Sequence, residues 1–215
     1  MSARRLVIFD WNGTLQDDVD LYFEYSVRRV FARYGLPCPS FATYREEMTG
    51  ATFMDFYWSR GIPRSLTIDA LFEQSRREII ADGRTAEIFP EVRDVLVRLT
   101  ERGCLVAVVS MAPTVEIVEG LVGRGIHRHL DFIQGDARNG KGDVFMQCLE
   151  RLDVRPKDAI AVGDLVDDAI AAQTAGVKPL LCPRGYHSRE RIESARGAIP
   201  TMSVIETLDG VFDHV

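Results

Sequence analysis

The chain has 215 residues, of which 46% are hydrophobic and 27% charged, proportions typical of a globular protein with one moderately sized core. A net charge of −6 and a pI of about 5.3 leave no basic surface for a nucleic-acid backbone, so we expect no nucleic-acid partner. Four scattered cysteines without a Cys-x-x-Cys pair indicate free thiols, and no apolar run is long enough to cross a bilayer, so we expect a cytoplasmic protein without a membrane partner.

The first predicted element is a strand over residues 4–9 (RRLVIF), because the run is short, apolar and rich in β-branched side chains. Asp10 follows this strand directly, and Asn12, Gly13 and Thr14 come immediately behind it. An acid at the end of a buried strand is most often a helix cap or a turn former. Asp10 therefore indicates a functional site only in combination with other motifs.

Residues 17–87 predict a helical insertion. Apolar residues recur with helical spacing over 17–34, Gly35 ends that helix, and residues 40–82 continue as shorter helices with Ser40 and Ser65 as N-caps. The many aromatic residues of the insertion favour a small bundle core. The alternative to a purely structural role is that residues 48–51 (MTGA) or 56–60 (FYWSR) cover a bound substrate.

After Pro90 the pattern alternates between strands and helices. Strands are predicted at 105–109, 131–134, 159–162 and 177–182, and helices at 114–123, 142–152 and 167–175, before a helix–strand–helix tail. This alternation predicts an α/β fold with a Rossmann-like parallel sheet. We therefore expect an α/β core made of residues 1–16 and 88–215, with residues 17–87 inserted as a helical cap.

Polar residues follow the apolar runs of this predicted sheet. Asp10, Ser110 and Asp164 each stand at the end of a strand, and Lys141 stands at the start of a helix. The carboxyl ends of parallel strands share one edge of a sheet, where ligands bind, so these distant residues are expected to meet. "GDLVDD" (163–168) adds Asp168, and three converging acids would repel one another unless a cation such as Mg²⁺ lay among them.

The ordered set "DWNGTL", "VVS", a lysine at a helix start and "GDLVDD" resembles the haloacid dehalogenase superfamily, in particular its phosphoglycolate phosphatase-like branch with a helical cap. The resemblance spans nearly the whole chain. It implies a phosphatase in which Asp10 attacks phosphorus to give an aspartyl-phosphate. It also implies a small phosphorylated substrate as the partner.

The resemblance assigns further roles by position. Asp10, Asn12, Ser110 and Lys141 are the expected catalytic residues, and the residues expected to bind substrate are Gly13, Thr14, Ser110, Met111 and Lys141. The expected ligands of Mg²⁺ are Asp10, the backbone carbonyl of Asn12, Asp164 and Asp168, with Asp167 as a rival for the last place.

Asn12 departs from the family pattern, which usually has a second acid at this position. An amide cannot transfer a proton, and losing a general acid/base typically costs ~10²–10⁴ in rate. Three outcomes stay open: substrates with good leaving groups, such as acyl or aryl phosphates; slow hydrolysis in which water, Asp17 or Asp18 substitutes; or a non-catalytic binding or regulatory protein. An engineered exchange of Asp for Asn is a further possibility.

Other branches of the superfamily fit less well. A phosphonate hydrolase needs a cap lysine, and residues 17–87 contain none; the dehalogenase branch needs no metal, whereas "GDLVDD" keeps the acid pair that a metal would need. Arg45, Arg60 and Arg64 are candidates to hold an anionic substrate. The sequence leaves the oligomeric state open.

Overall fold

A computed structural model describes residues 4–49, 53–137 and 140–215. Residues 50 and 51 of the MTGA stretch lie outside the described residues. Within these ranges, no helix combines the length and the apolar character needed to span a bilayer.

The core of the fold is a six-stranded parallel sheet with the strand order β5-β4-β1-β6-β7-β8. The order reverses at β1, so the loop after β1 opens into the crevice where ligands bind in open parallel sheets. The α/β class and the Rossmann-like parallel sheet are confirmed. The strands are β1 (Leu6–Phe9), β4 (Leu105–Val109), β5 (Phe132–Gln134), β6 (Ala159–Gly163), β7 (Lys178–Leu181) and β8 (Ser203–Val204).

Helices cover both faces of the sheet, which explains why its strands are apolar throughout. Side chains of β1 alternate between the faces: Val7 and Phe9 join one buried cluster, and Leu6 and Ile8 join the other. The helices of this part are α6 (Val92–Glu101), α7 (Thr114–Gly123), α8 (Lys141–Leu152), α9 (Val166–Thr174) and α10 (Arg189–Ala195), with 3₁₀ turns at His127–His129, Pro156–Asp158 and Leu208–Asp213.

The inserted residues form helices around an aromatic cluster of their own. These are α1 (Val19–Tyr22), a π-helical segment Phe23–Arg28, α2 (Arg29–Arg33), α3 (Phe41–Glu47), α4 (Phe53–Trp58) and α5 (Ile68–Ala81). The cluster also contains Leu165 and Tyr186 from beyond the sheet edge, so the inserted helices pack directly over the carboxyl ends of the strands.

Three local features differ from the sequence-based expectation. The helix expected over 17–34 widens into the π-helical segment, where Tyr25, Ser26 and Val27 are all buried; the wider turn carries three consecutive residues toward the interior. Thr67 caps α5 by accepting the Ala70 N–H, so Ser65 as the cap was wrong.

A short antiparallel ribbon was not expected. It pairs β2 (Gln16–Asp17) with β3 (Glu87–Ile88), with Gln16 opposite Ile88 and Asp17 opposite Glu87. A two-residue strand is too short to show a pattern in the sequence. The ribbon joins the two ends of the helical insertion, which supports the division into 1–16 with 88–215 and 17–87, although that division stays a prediction.

The contact between α7 and the loop after β1 generates a stability prediction. A Cβ added to Gly120 would lie 2.7 Å from Cζ2 of Trp11, which is fully buried, whereas a Cβ on Gly123 of the same helix would meet nothing within 4 Å. Gly120→Ala should lower the free energy of unfolding by about 1–3 kcal/mol through overpacking. Gly123→Ala should raise it by about 0.4–1 kcal/mol, because the unfolded chain loses freedom. Urea denaturation measures both, and equal effects would contradict this packing.

Candidate active site

Three neighbouring strands bring their polar end residues to one place. Asp10 follows β1, Ser110 follows β4 and Asp164 follows β6, and all three side chains are buried. The Asp10 N–H donates to Val162 O at 2.9 Å, which holds the start of the loop against β6. Lys141, the first residue of α8, reaches the same point. The predicted meeting of these distant residues is therefore present in the fold.

Lys141 binds two carboxylates at once. Its Nζ lies 2.8 Å from Asp10 Oδ1 and 2.6 Å from Asp168 Oδ1, and all three groups are less than a tenth exposed. Asp10, Asp164 and Asp168 each offer a carboxylate oxygen within 4.8 Å of the others. Three acids thus lie around one ammonium group, which contacts two of them.

Burial and mutual repulsion shift the protonation of this cluster. Burial, reinforced by the charges of Asp10 and Asp168, raises the pKa of the Asp164 carboxyl well above its usual range. Burial also raises the pKa of Asp168 to about 6, although Lys141 counteracts it. Burial opposes the charge on Lys141, but Asp10 and Asp168 outweigh it and raise the pKa of Lys141 above its ordinary value. The ammonium form is therefore retained at neutral pH.

Asp164 is held from two further directions. Thr14 Oγ1 donates to its Oδ1 at 3.2 Å, and the Tyr186 N–H donates to its Oδ2 at 2.5 Å. Gly13, at φ +69°, lies so close that an added Cβ would sit 2.5 Å from Asp164 Oδ2. A glycine is therefore required at position 13 by both its backbone conformation and this approach.

Asn12 is bound by a buried acid. Its Nδ2 donates to Asp18 Oδ2 in a short hydrogen bond and lies 3.4 Å from Gln16 Oε1, while the Gly13 N–H donates to Asp18 Oδ1 at 2.9 Å. Burial raises the pKa of Asp18 to about 7; the bonds from Asn12 and Gly13 lower it in part, and the Asp10 charge raises it again. Asp18 thus fixes the amide of Asn12 in place.

A cavity opens beside these groups, between the sheet edge and the inserted helices. Asp10, Asn12, Ser110 and Lys141 line its polar end. The rest of its wall is mostly apolar or aromatic and comprises Tyr22, Ser26, Tyr44, Met48, Phe53, Phe72, Met111, Ala112, Pro113, Glu116, Leu165 and Tyr186. The arrangement can take a small molecule with a phosphoryl group at the polar end.

Two of the residues predicted to bind substrate contact Asp164 but do not line the cavity. Gly13 and Thr14 do not line the cavity: the Gly13 N–H is already bonded to Gln16 O and Asp18, and Thr14 N–H to Trp11 O. Asp168 rather than its rival Asp167 belongs to the acid cluster. Met111, also predicted to bind substrate, lies in the wall of the cavity.

The three cap arginines also lie outside the cavity wall. Arg45 donates to His187 O at 2.9 Å, Arg60 pairs with Glu47 and covers the Phe56 ring, and Arg64 covers the Trp58 ring. Each guanidinium is therefore engaged in holding the inserted helices together or to the loop beneath them.

The loop after β7 contributes residues that motif reasoning did not assign. Tyr186 lines the cavity and holds Asp164, and the neighbouring His187 links two parts of the chain. His187 Nδ1 accepts the Val166 N–H at 3.0 Å and Nε2 faces Met48 O at 2.6 Å, so the neutral ring carries its proton on Nε2. Burial lowers the pKa of His187 accordingly. The stretch 182–190 (CPRGYHSRE) follows a predicted strand, which is the only signal for this role in the sequence.

Comparison with known proteins places these features in a family. A model of the haloacid dehalogenase-like hydrolase family matches residues 7–182. The phosphoglycolate phosphatase of Vibrio cholerae is 27% identical and covers 91% of each chain, and the phosphorylated carbohydrates phosphatase of Thermotoga maritima is 29% identical over 80% of this chain and 82% of its own. The crystal structure of a predicted phosphatase from Clostridium acetobutylicum shares the fold, with a TM-score of 0.79, 21% identity and coverage of 99% and 98% of the two chains.

The Asp18 carboxyl generates a pH prediction. Its pKa is raised from 3.8 to about 7 on folding, so the native state binds its proton more tightly than the unfolded chain. The associated stability is fully present below about pH 3.8 and is lost as the pH rises through about 7. Asp18→Asn should therefore flatten the pH dependence of the free energy of unfolding in this window, by up to ~1.4 kcal/mol per pH unit in metal-free protein.

Asp17→Asn is the matched control, because Asp17 is the exposed neighbouring acid. Urea titrations between pH 4 and pH 8 should show the wild-type slope in this control. A slope unchanged in Asp18→Asn would contradict the assignment.

Proposed function

The chain belongs to the haloacid dehalogenase-like hydrolase family and is an enzyme of the hydrolase and phosphatase class, and we propose that it hydrolyses a small phosphorylated metabolite with Mg²⁺ through an aspartyl-phosphate on Asp10. The observation that carries this proposal is the contact of Lys141 with Asp10 and Asp168, next to Asp164, at the polar end of the cavity. Within this proposal the substrate enters from the cavity and presents its phosphoryl group to Asp10.

The donor set fits a hard divalent cation. Three carboxylates, when ionised, exceed the one ammonium by two negative charges in a buried place. Burial, reinforced by the charges of Asp10 and Asp168, raises the pKa of Asp164 when no metal offsets them. Oxygen ligands from carboxylates, a carbonyl and water are those that Mg²⁺ prefers. Asp10, Asp164, Asp168 and the carbonyl of Asn12 would hold it, and when bound it would neutralise charge on the transferring phosphoryl group.

The remaining steps belong to the chain's own residues. Asp10 supplies a carboxylate oxygen to phosphorus while the bond from phosphorus to the leaving oxygen breaks. Lys141 would offset the negative charge shared by Asp10 and the phosphoryl group, and the Ser110 hydroxyl, which is buried and lines the same polar end of the cavity, would donate to a phosphoryl oxygen. Water then attacks the phosphorus of the aspartyl-phosphate and releases inorganic phosphate, which regenerates Asp10.

The inserted helices complete the proposed enzyme as a cap. They form one wall of the cavity and would exclude bulk water around the reacting groups. We assign residues 17–87 to this cap and residues 1–16 and 88–215 to the catalytic core.

All four cysteines are free thiols, which supports a reducing compartment such as the cytoplasm.

A turnover assay tests the proposal. With p-nitrophenyl phosphate and acetyl phosphate, we expect activity that depends on added Mg²⁺ and falls at least ~10³-fold in Asp10→Asn, since the nucleophile is lost. Asp17→Asn, an exposed acid outside the cavity, should retain the wild-type rate. The release of inorganic phosphate measures the turnover of both substrates.

Asn12 is the one observation that favours a second candidate function, a binding or regulatory protein that retains the fold. Activity that persists in Asp10→Asn would contradict the proposed mechanism. If neither substrate shows metal-dependent turnover, the result contradicts the phosphatase proposal and favours this second candidate.

A further inference from the structure

The wall of the cavity away from the acids is unusually aromatic. Tyr22, Tyr44, Phe53, Phe72 and Tyr186 contribute to it, and Tyr44 packs edge-on against Tyr186 with ring centroids 6.1 Å apart. Phe53 and Phe72 lie 5.5 Å apart in a second ring pair. Such a wall gains free energy by covering an apolar or aromatic group and offers little to a hydrated anion.

The charges around the cavity point the same way. Among the described lining residues Lys141 is the single cation, and it is already shared by Asp10 and Asp168. Glu116 of α7 also lines the cavity; burial raises the pKa of its carboxyl, and Arg76 of α5, at 3.3 Å, counteracts this and favours the carboxylate. Among the described lining residues, a second anionic group of a substrate would meet this carboxylate and no cation that is not already paired.

Among the described residues of the cap, Arg76 is the cation nearest this part of the cavity, and it is already paired with Glu116 and Glu119. Arg45, Arg60 and Arg64, the arginines that could have held a second anionic group, lie outside the wall and are engaged in other contacts. Phosphoglycolate, the substrate in the names of several relatives, carries a carboxylate beside its phosphate, so the chemistry of this wall differs from what that substrate requires.

The leaving group is constrained separately by Asn12. Its amide is bound to Asp18 and can donate a hydrogen bond but no proton. An alkoxide leaving group needs a proton as the ester bond breaks, whereas a phenoxide departs as a stable anion. The absence of an acid at position 12 therefore lowers the hydrolysis rate least for esters whose leaving oxygen is bonded to an aromatic ring.

Resting on the proposed phosphatase function, we propose that the preferred substrates are aryl phosphate monoesters, with the ring against the aromatic wall, and that Glu116 acts as a specificity residue against substrates with a second anion. Asp10 forms a bond to phosphorus while the phosphorus–oxygen bond to the ring breaks, and the aryl oxide leaves with the electron pair. The oxide takes its proton from solvent, and water then hydrolyses the aspartyl-phosphate to inorganic phosphate.

Three substrates separate the two parts of this inference. Benzyl phosphate and phosphoglycolate both have alkoxide leaving groups, so the ratio of their kcat/KM values reports on the contact with the aromatic wall. Phenyl phosphate and benzyl phosphate both carry an aromatic ring, so the ratio of their kcat/KM values reports on the leaving group. With Mg²⁺ present, kcat/KM should be at least ~10-fold higher for benzyl phosphate than for phosphoglycolate, and higher again for phenyl phosphate.

Variants assign these ratios to residues. Glu116→Gln should reduce the ratio of kcat/KM for benzyl phosphate to kcat/KM for phosphoglycolate. Glu119→Gln should leave it unchanged, because Glu119 contacts Arg76 at the same 3.3 Å but does not line the cavity. Asn12→Asp should raise turnover of benzyl phosphate more than that of phenyl phosphate. Equal gains in turnover of benzyl and phenyl phosphate in Asn12→Asp would overturn the assigned leaving-group preference. An equal effect of Glu116→Gln and Glu119→Gln on the kcat/KM ratio would overturn the specificity role of Glu116.

A binding measurement separates this inference from the proposed function. Calorimetry on Asp10→Asn with Mg²⁺ should show tighter binding of benzyl phosphate than of phosphoglycolate. If the wild type turns over phosphoglycolate as well as benzyl phosphate or better, the substrate class is wrong while the phosphatase function stands. If nothing is turned over but benzyl phosphate binds more tightly, the phosphatase function is wrong and the assigned preference of the wall stands; binding in the reverse order overturns that preference.

Discussion

The site depends on one electrostatic constraint: three buried carboxylates share a single buried ammonium group. Lys141 lies 2.8 Å from Asp10 and 2.6 Å from Asp168, and Asp164 completes the cluster without a cation of its own. Burial of such an excess of negative charge is costly unless a cation offsets it, and the raised pKa of Asp164 expresses that cost. The proposed metal and the proposed phosphoryl transfer both follow from this arrangement.

The rest of the fold holds the acids in place despite their repulsion. The parallel sheet reverses its order at β1 and so brings the ends of β1, β4 and β6 side by side. Hydrogen bonds from Thr14 and the Tyr186 N–H fix Asp164, and Gly13 leaves the space that its carboxylate fills. A site assembled on strand ends and a helix start is held more precisely than one built on loops alone.

Much of this could be predicted from the sequence because its signals are local. Apolar runs ending in Asp10, Ser110 and Asp164 predicted the sheet and its active edge, and helical periodicity predicted the insertion. The contacts across the cavity could not be predicted in this way. Glu116 and Tyr186 reach the cavity only through packing between distant segments, and Asp18 gains its raised pKa from burial that no spacing reveals.

Magnesium binding tests the central claim most directly, because it needs no assumption about the substrate. Calorimetric titration should show one Mg²⁺ bound by the wild type and an affinity at least ~10-fold weaker in Asp164→Asn. Asp167→Asn, which removes an equal charge three positions further along the chain and outside the acid cluster, should bind as the wild type does. Unchanged binding in Asp164→Asn, or equal weakening in both variants, would contradict a divalent cation held by the buried carboxylates.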